Sequence, residues 1–242
     1  MNNENIDKFL EKIKDYKADR LALLIDSDNA QASIISELLE EVSKFGIATI
    51  KRAYGDWTTN RLKNWKENLI TYAIQPIQQF SYTTGKNSTD SALIIDAMDI
   101  LHSNVVDGFC IVSSDSDFTR LATRIRESGL KVYGFGEKKT PSAFIGACDK
   151  FIFTENLQGL RDNKLTRNEQ NELKDIIIKA IEAVSNENGW ADLATVSQFI
   201  QKNYPSFDTR NYGFKKYGEL MKSLSYLECD NKNTSFYVKI KG

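Results

Sequence analysis

Two apolar runs, each closed by acidic residues, constrain this chain most. Leu21-Ala22-Leu23-Leu24-Ile25 ends on Asp26, and Phe109-Cys110-Ile111-Val112 leads through two serines to Asp115 and Asp117. Strand patterns of this kind alternate with helix patterns from Arg20 to Phe153, which argues for a mainly parallel, doubly wound α/β sheet. Side chains at the carboxyl ends of parallel strands line the ligand crevice. Asp26, Asp115, Asp117 and, from a third segment, Asp90 are therefore expected on one edge of one sheet. Four carboxylates in one crevice repel each other unless a cation sits between them. Hard oxygen ligands suit Mg²⁺ or Mn²⁺, and a carboxylate-held metal pair is a device for cutting phosphodiesters.

The order of elements can be followed along the chain. An amphipathic piece at Ile6–Tyr16 precedes a strand at Arg20–Ile25. A helix pattern over Ala30–Phe45 sets Ile34, Ile35, Leu38, Leu39 and Val42 on one face, with Gly46 as its stop. A strand at Ile47–Tyr54, a helix at Arg61–Asn68 and a short strand near Ile74–Ile77 follow. The loop Tyr82–Asn87 leads to a helix at Thr89–Ser103. Next come strand Phe109–Ser113, helix Phe118–Ser128 stopped by Gly129, strand Lys131–Phe135, helix Ser142–Cys148 and strand Phe151–Phe153. The polar stretch that follows lacks periodicity, so the reading divides the chain into a domain over 1–155, a linker over 156–166 and a second domain over 167–242. That second domain shows helices at Asn168–Ser185, Leu193–Asn203 and Gly213–Leu224, then a hairpin from Tyr226–Cys229 to Phe236–Ile240. Three helices and a terminal hairpin describe a winged helix-turn-helix.

Each acidic position has a plain reading beside the chemical one. Asp28 or Asn29 fits as a cap for the next helix, and Ser116 or Asp117 as a cap for the helix starting near Phe118. Asp26 is still on the strand side of its turn, so capping explains it poorly; a metal-ligand role with Asn29 orienting it is favoured. On a helical wheel Asp90 falls on the face of Leu93, Ala97 and Leu101, one turn before that face begins. It should point over the strand ends, at the positive end of the helix dipole, although capping rivals this. Asp96, at the border of that face, reads as structural, and Asp99 as solvated. Lys86, in the loop before Asp90, reads as a phosphate contact or as a solvated lysine. Arg120 and Arg124 share a helix face and, with Arg61 and Lys63, could hold a polyanion.

The bulk numbers exclude other classes. With 32 basic and 33 acidic residues the net charge is −1, so a nucleic acid must be held by local basic patches. Three scattered cysteines without a CxxC pair argue against zinc and fit a reducing compartment. His102 lies late in a helix, and no Ser/His/Asp set or Walker-type loop is present. The start lacks a signal-peptide pattern, and no run approaches the roughly 20 apolar residues that span a bilayer. A cytoplasmic protein without a membrane partner is expected; a homo-oligomer is compatible with the sequence.

These residues resemble the NYN family, a branch of the PIN-like metal-dependent nucleases. The resemblance rests on Ile25-Asp26-Ser27-Asp28-Asn29, on Lys86-Asn87-Ser88-Thr89-Asp90 with Leu93 and Asp96, on Ser113-Ser114-Asp115-Ser116-Asp117-Phe118, and on Ala143–Phe153. The commonest family pattern has glycine where Ser27 and Ser116 stand. The resemblance implies a PIN-like three-layer α/β/α domain in which Asp26, Asp90, Asp115 and Asp117 bind one or two Mg²⁺ or Mn²⁺ ions, supported by Asn29. Residues from about Thr166 to Ile240 resemble the LOTUS (OST-HTH) module, through Gly189-Trp190-Ala191 and Phe207-Asp208-Thr209-Arg210-Asn211-Tyr212-Gly213-Phe214. That family is associated with RNA and, in some members, with protein partners. Arg210, Tyr212, Lys215 and Lys216 are its candidate RNA contacts, with Tyr212 and Phe214 equally placed for the core.

The expected activity is metal-dependent endoribonuclease hydrolysis of RNA, with RNA over DNA resting on the resemblance. Two alternatives stand beside it. A haloacid dehalogenase-like phosphatase would use Asp26 as nucleophile and Asp28 as acid/base. A non-catalytic scaffold would bind RNA or protein through both domains.

Overall fold

The computed structural model describes residues 18–80, 88–159, 165–232 and 235–241. The expected segment Ile6–Tyr16 and the loop carrying Lys86 lie outside the described residues. Six strands, β1 (Arg20–Asp26), β2 (Ile47–Gly55), β3 (Gln75–Gln78), β4 (Gly108–Val112), β5 (Lys131–Gly136) and β6 (Lys150–Phe153), form a parallel sheet in the order β3-β2-β1-β4-β5-β6. The order steps outward from β1 in both directions, so the topological switch point lies between β1 and β4. Open α/β sheets bind ligands there, beyond the strand carboxyl ends. Ile25 pairs with Ala53 on one side and Val112 on the other. β1 is buried from Leu21 onward and β4 throughout, as expected of central strands covered on both faces.

By their mutual contacts the described residues group into two compact units, those within 1–112 and 124–132, and those within 113–123 and 133–242. The first carries β1–β4 and the helices α1 (Ile35–Ser43), α2 (Lys66–Thr71) and α3 (Ser88–Ser103). Leu38 and Val42 of α1 and Leu93, Ala97 and Leu101 of α3 are buried. α4 (Thr119–Glu127) begins in the second unit, which also holds α5 (Ser142–Ala147) and β6. There Phe118, Phe144 and Phe151 make a buried aromatic chain, with ring centroids 6.3 and 5.7 Å apart.

The C-terminal part of the second unit contains α6 (Arg167–Val184), β7 (Trp190–Asp192), α7 (Leu193–Asn203), α8 (Tyr217–Ser223), β8 (Leu227–Lys232) and β9 (Ser235–Ile240). Its strands form an antiparallel sheet ordered β7-β9-β8, giving a winged helix-turn-helix. Leu173, Ile177, Val196, Leu220 and Val238 share its core. Thr166 starts α6 with a reciprocal capping box to Glu169. No helix among the described residues is long and apolar enough to cross a membrane.

Several local expectations are corrected. The segment expected as one helix over Ala30–Phe45 is a 3-10 turn at Ala32–Ile34 followed by α1, because the Asp26 carbonyl accepts from Asn29 N and Ala30 N and holds the chain in a turn. Gly46 has no left-handed backbone; a Cβ there would collide with the Asp19 carbonyl oxygen and lie 3.1 Å from Leu21 Cδ1. Close approach of backbone, not helix capping, requires the glycine. Gly213 does adopt φ +83°, but it ends a 3-10 turn over Thr209–Tyr212, and α8 starts only at Tyr217. β7 adds a strand where only Gly189 was expected between helices. Three residues are too few to show a strand period, and their pairing with β9 is distant in sequence.

Candidate metal centre

Asp26 is the last residue of β1 and is buried. Its Oδ2 accepts from Asn29 Nδ2 at 2.6 Å and its Oδ1 from the Asp28 backbone N–H at 3.2 Å. Asn29 thus holds the Asp26 carboxylate by a direct hydrogen bond. Asp28 caps nothing: the 3-10 turn after it has Gln31 at its N-cap and no side-chain cap. Instead Asp28 Oδ2 accepts from Thr89 Oγ1 at 3.1 Å, tying this turn to the first turn of α3.

The turn after β4 is built by its own short side chains. Ser113 Oγ accepts from Asp115 N at 3.1 Å, and Ser114 Oγ accepts from Glu137 N at 2.9 Å. Asp115, in an extended conformation, then caps the 3-10 turn Ser116–Phe118 by accepting from Asp117 N at 2.9 Å. The capping expected of Ser116 or Asp117 therefore belongs to Asp115, one of whose oxygens serves the cap. Phe118, fully buried, anchors the turn's end.

Asp90 sits in the first turn of α3, where the helix dipole favours negative charge, and is half-buried, whereas Asp99 on the opposite face is exposed. One carboxylate oxygen from each of Asp90, Asp115 and Asp117 lies within 4.8 Å of the others. Asp26 stands outside that mutual spacing. Three oxygen donors gathered at that spacing are of the kind a hard divalent cation takes. The donor set is all oxygen, which suits Mg²⁺ or Mn²⁺ over zinc.

The remaining candidates divide. Asp96 is in a different arrangement: its oxygens accept from Arg52 Nη1 and from the Tyr54 hydroxyl. Burial, with Asp96 adding to it, pushes the Tyr54 phenol far up, so it stays a donor. Arg120 and Arg124 are exposed on α4, Arg124 lying 3.7 Å from Glu127. Lys215 and Lys216 are exposed. Arg210 is engaged by Asp208 through contacts of 2.6–3.1 Å. Tyr212 is half-buried, its ring 5.5 Å from that of Phe207. Phe214 packs against the module's core.

A family model described as the NYN domain matches residues 20–157, and one described as the OST-HTH/LOTUS domain matches residues 166–238. Among solved structures, a protein of unknown function from Vibrio parahaemolyticus is 19% identical, covering 55% of this chain and 91% of its own at a TM-score of 0.47. A solution NMR structure of a protein from Chromobacterium violaceum is 29% identical, covering 34% of this chain and 86% of its own at a TM-score of 0.24. No curated protein matches the chain.

Proposed function

This chain belongs to the NYN domain family, and from that premise we propose that it is a divalent-metal-dependent endoribonuclease with a C-terminal RNA- or partner-binding module. The observation that carries the reading is the convergence of Asp90, Asp115 and Asp117 within 4.8 Å at the N-terminus of α3. Those three residues would hold Mg²⁺ or Mn²⁺, with Asp26, oriented by Asn29, as a fourth carboxylate at the end of β1. A divalent ion bound there supplies a lowered water pKa and positive charge for the phosphoryl oxygens. Asp115 contributes a carboxylate whose direction is fixed by its cap to Asp117 N, so no rotamer search opposes metal binding. Asp90 is carried in the first turn of α3. Arg120 and Arg124 on α4 are the proposed contacts for the RNA backbone, and Lys215 and Lys216 those of the C-terminal module. Hydrolysis by water would leave a 5′-phosphate and a 3′-hydroxyl.

The test is cleavage of short end-labelled RNAs in Mg²⁺ or Mn²⁺ and in excess chelator. The chelator and Asp115→Asn should each lower the rate by at least about a hundredfold, the scale of several kcal/mol of lost transition-state stabilisation. Asn retains a side-chain oxygen for the cap, so the variant should fold. Undiminished cleavage by a highly purified Asp115→Asn protein would remove the support for this reading.

A further inference from the structure

Ser27 follows Asp26 and is 3% exposed, yet its hydroxyl has no hydrogen-bond partner among the described residues. A buried hydroxyl in that state loses the hydrogen bonds it made to water; its Oγ presents under 1 Å² of surface, so it reaches a group in the cleft by rotating about χ1. Ser27 lines a cleft of about 480 Å³ in the first compact unit. The opposite wall comes from the 3-10 turn Asn60–Trp65, through Arg61, Asn64 and the buried Trp65; Gln31 and Asp28 complete the rim. Arg61 is exposed and has no ionic partner among the described residues.

The chemistry of the lining selects the occupant. Among the described lining residues Asp28 is the one carboxylate, unlike the three-carboxylate group of Asp90, Asp115 and Asp117, so the lining does not favour a cation. Amides from Gln31 and Asn64 offer paired donors and acceptors, the groups that read base edges. Arg61 offers positive charge for one phosphate. The volume lies in the range of roughly 300–1,000 Å³ that suits a ligand of nucleotide size. Asp28, in the cleft rim, is hydrogen-bonded to Thr89, the residue before Asp90. We propose that this cleft is a nucleotide subsite that takes one unstacked base of single-stranded RNA, with Ser27 Oγ bonded to the base and Arg61 to its phosphate. The proposal rests on the nuclease reading and adds how the strand is gripped next to the acidic centre.

The full chain should be tested with a fluorescein-labelled 12-nucleotide single-stranded RNA in EDTA, so that binding is read without cleavage, and with nucleoside 5′-monophosphates as competitors. Cleavage of the same RNA in Mn²⁺ is measured in parallel. Ser33→Trp, on an exposed rim residue, should fill the cleft and weaken RNA binding at least about tenfold. Ser27→Ala and Arg61→Ala should each weaken it about three- to tenfold, the scale of one hydrogen bond. Asn64→Trp fills the cleft from the facing wall if Ser33→Trp does not fold. Competition by monophosphates in the wild type that is lost in the filled variants supports a base pocket. Competition by RNA alone, with the filled variants still weakened, also supports it and assigns the cleft to a polymer. Unchanged RNA affinity in folded Ser33→Trp or Asn64→Trp protein overturns the subsite, and if Mn²⁺-dependent cleavage persists the nuclease reading stands without it. Absence of cleavage in the wild type sinks the nuclease reading, whereas RNA binding that the filled variants weaken preserves the cleft as an RNA site.

Discussion

Single residues decide what each carboxylate does. Asp96 shares a helix with Asp90 but is committed to Arg52 and to the fully buried Tyr54. Asp96→Ala leaves that buried hydroxyl without an acceptor and should destabilise the protein by about 1–3 kcal/mol in denaturant unfolding, with a smaller loss for Asp96→Asn, which keeps an oxygen. A loss at or below about 0.3 kcal/mol for Asp96→Ala would contradict the assignment. Asp208 is a second committed acid. Burial acts to raise its pKa, but the Arg210 guanidinium and the Arg210 backbone N–H outweigh it and hold the carboxyl below its ordinary 3.8. A lowered folded-state pKa contributes stability that is complete above about pH 4 and is lost as pH falls through the folded value. Acid titration of unfolding should therefore show a steeper loss below pH 4 in the wild type than in Asp208→Asn; equal slopes would refute the linkage. The buried face of α3 was legible in the sequence because Leu93, Ala97 and Leu101 repeat regularly. The capping by Asp115 was not, because three adjacent polar residues compete and only the backbone path of the turn selects one.

At the scale of elements, apolar periodicity located all six strands of the parallel sheet to within two residues. The strand order was not legible, since nothing local distinguishes a neighbour on the left from one on the right. Short elements failed for a different reason. β7 owes its existence to pairing with β9, and the 3-10 turns at Ala32–Ile34 and Thr209–Tyr212 follow local hydrogen bonds, to the Asp26 carbonyl and to the Asp208 side chain, that an apolar pattern does not report. Gly46 shows the same distinction in one residue. It reads as a helix stop, yet the structure requires it because Ile47 N donates to Asp19 O at 2.8 Å and leaves no room for a side chain beside that carbonyl. Gly46→Ala should cost about 1–3 kcal/mol by forcing these segments apart. A neutral or stabilising outcome, as expected for a glycine merely following a helix, would show the reading wrong.

At the scale of the molecule, the C-terminal module meets the β6 edge within the second compact unit. The Pro205 carbonyl accepts from Phe151 N at 2.9 Å, Phe207 O from Lys150 Nζ at 3.1 Å, and Asn211 Oδ1 from Asn156 Nδ2 at 2.6 Å. An exposed sheet edge is thereby covered, using the loop in which Arg210 and Tyr212 were expected to meet RNA. Sequence alone could not reveal this, because each of these contacts joins residues more than 50 positions apart. Lys215 and Lys216, beyond that loop, remain the proposed contacts of the module. The account as a whole depends on Asp90, Asp115 and Asp117 being a cation cage. Crystals soaked in Mn²⁺ and measured at the manganese absorption edge test that most directly. One or two anomalous peaks bound by oxygens of Asp90, Asp115 and Asp117 are predicted; no peak at those carboxylates under saturating Mn²⁺, or an Asp90 side chain turned away from Asp115, would contradict it.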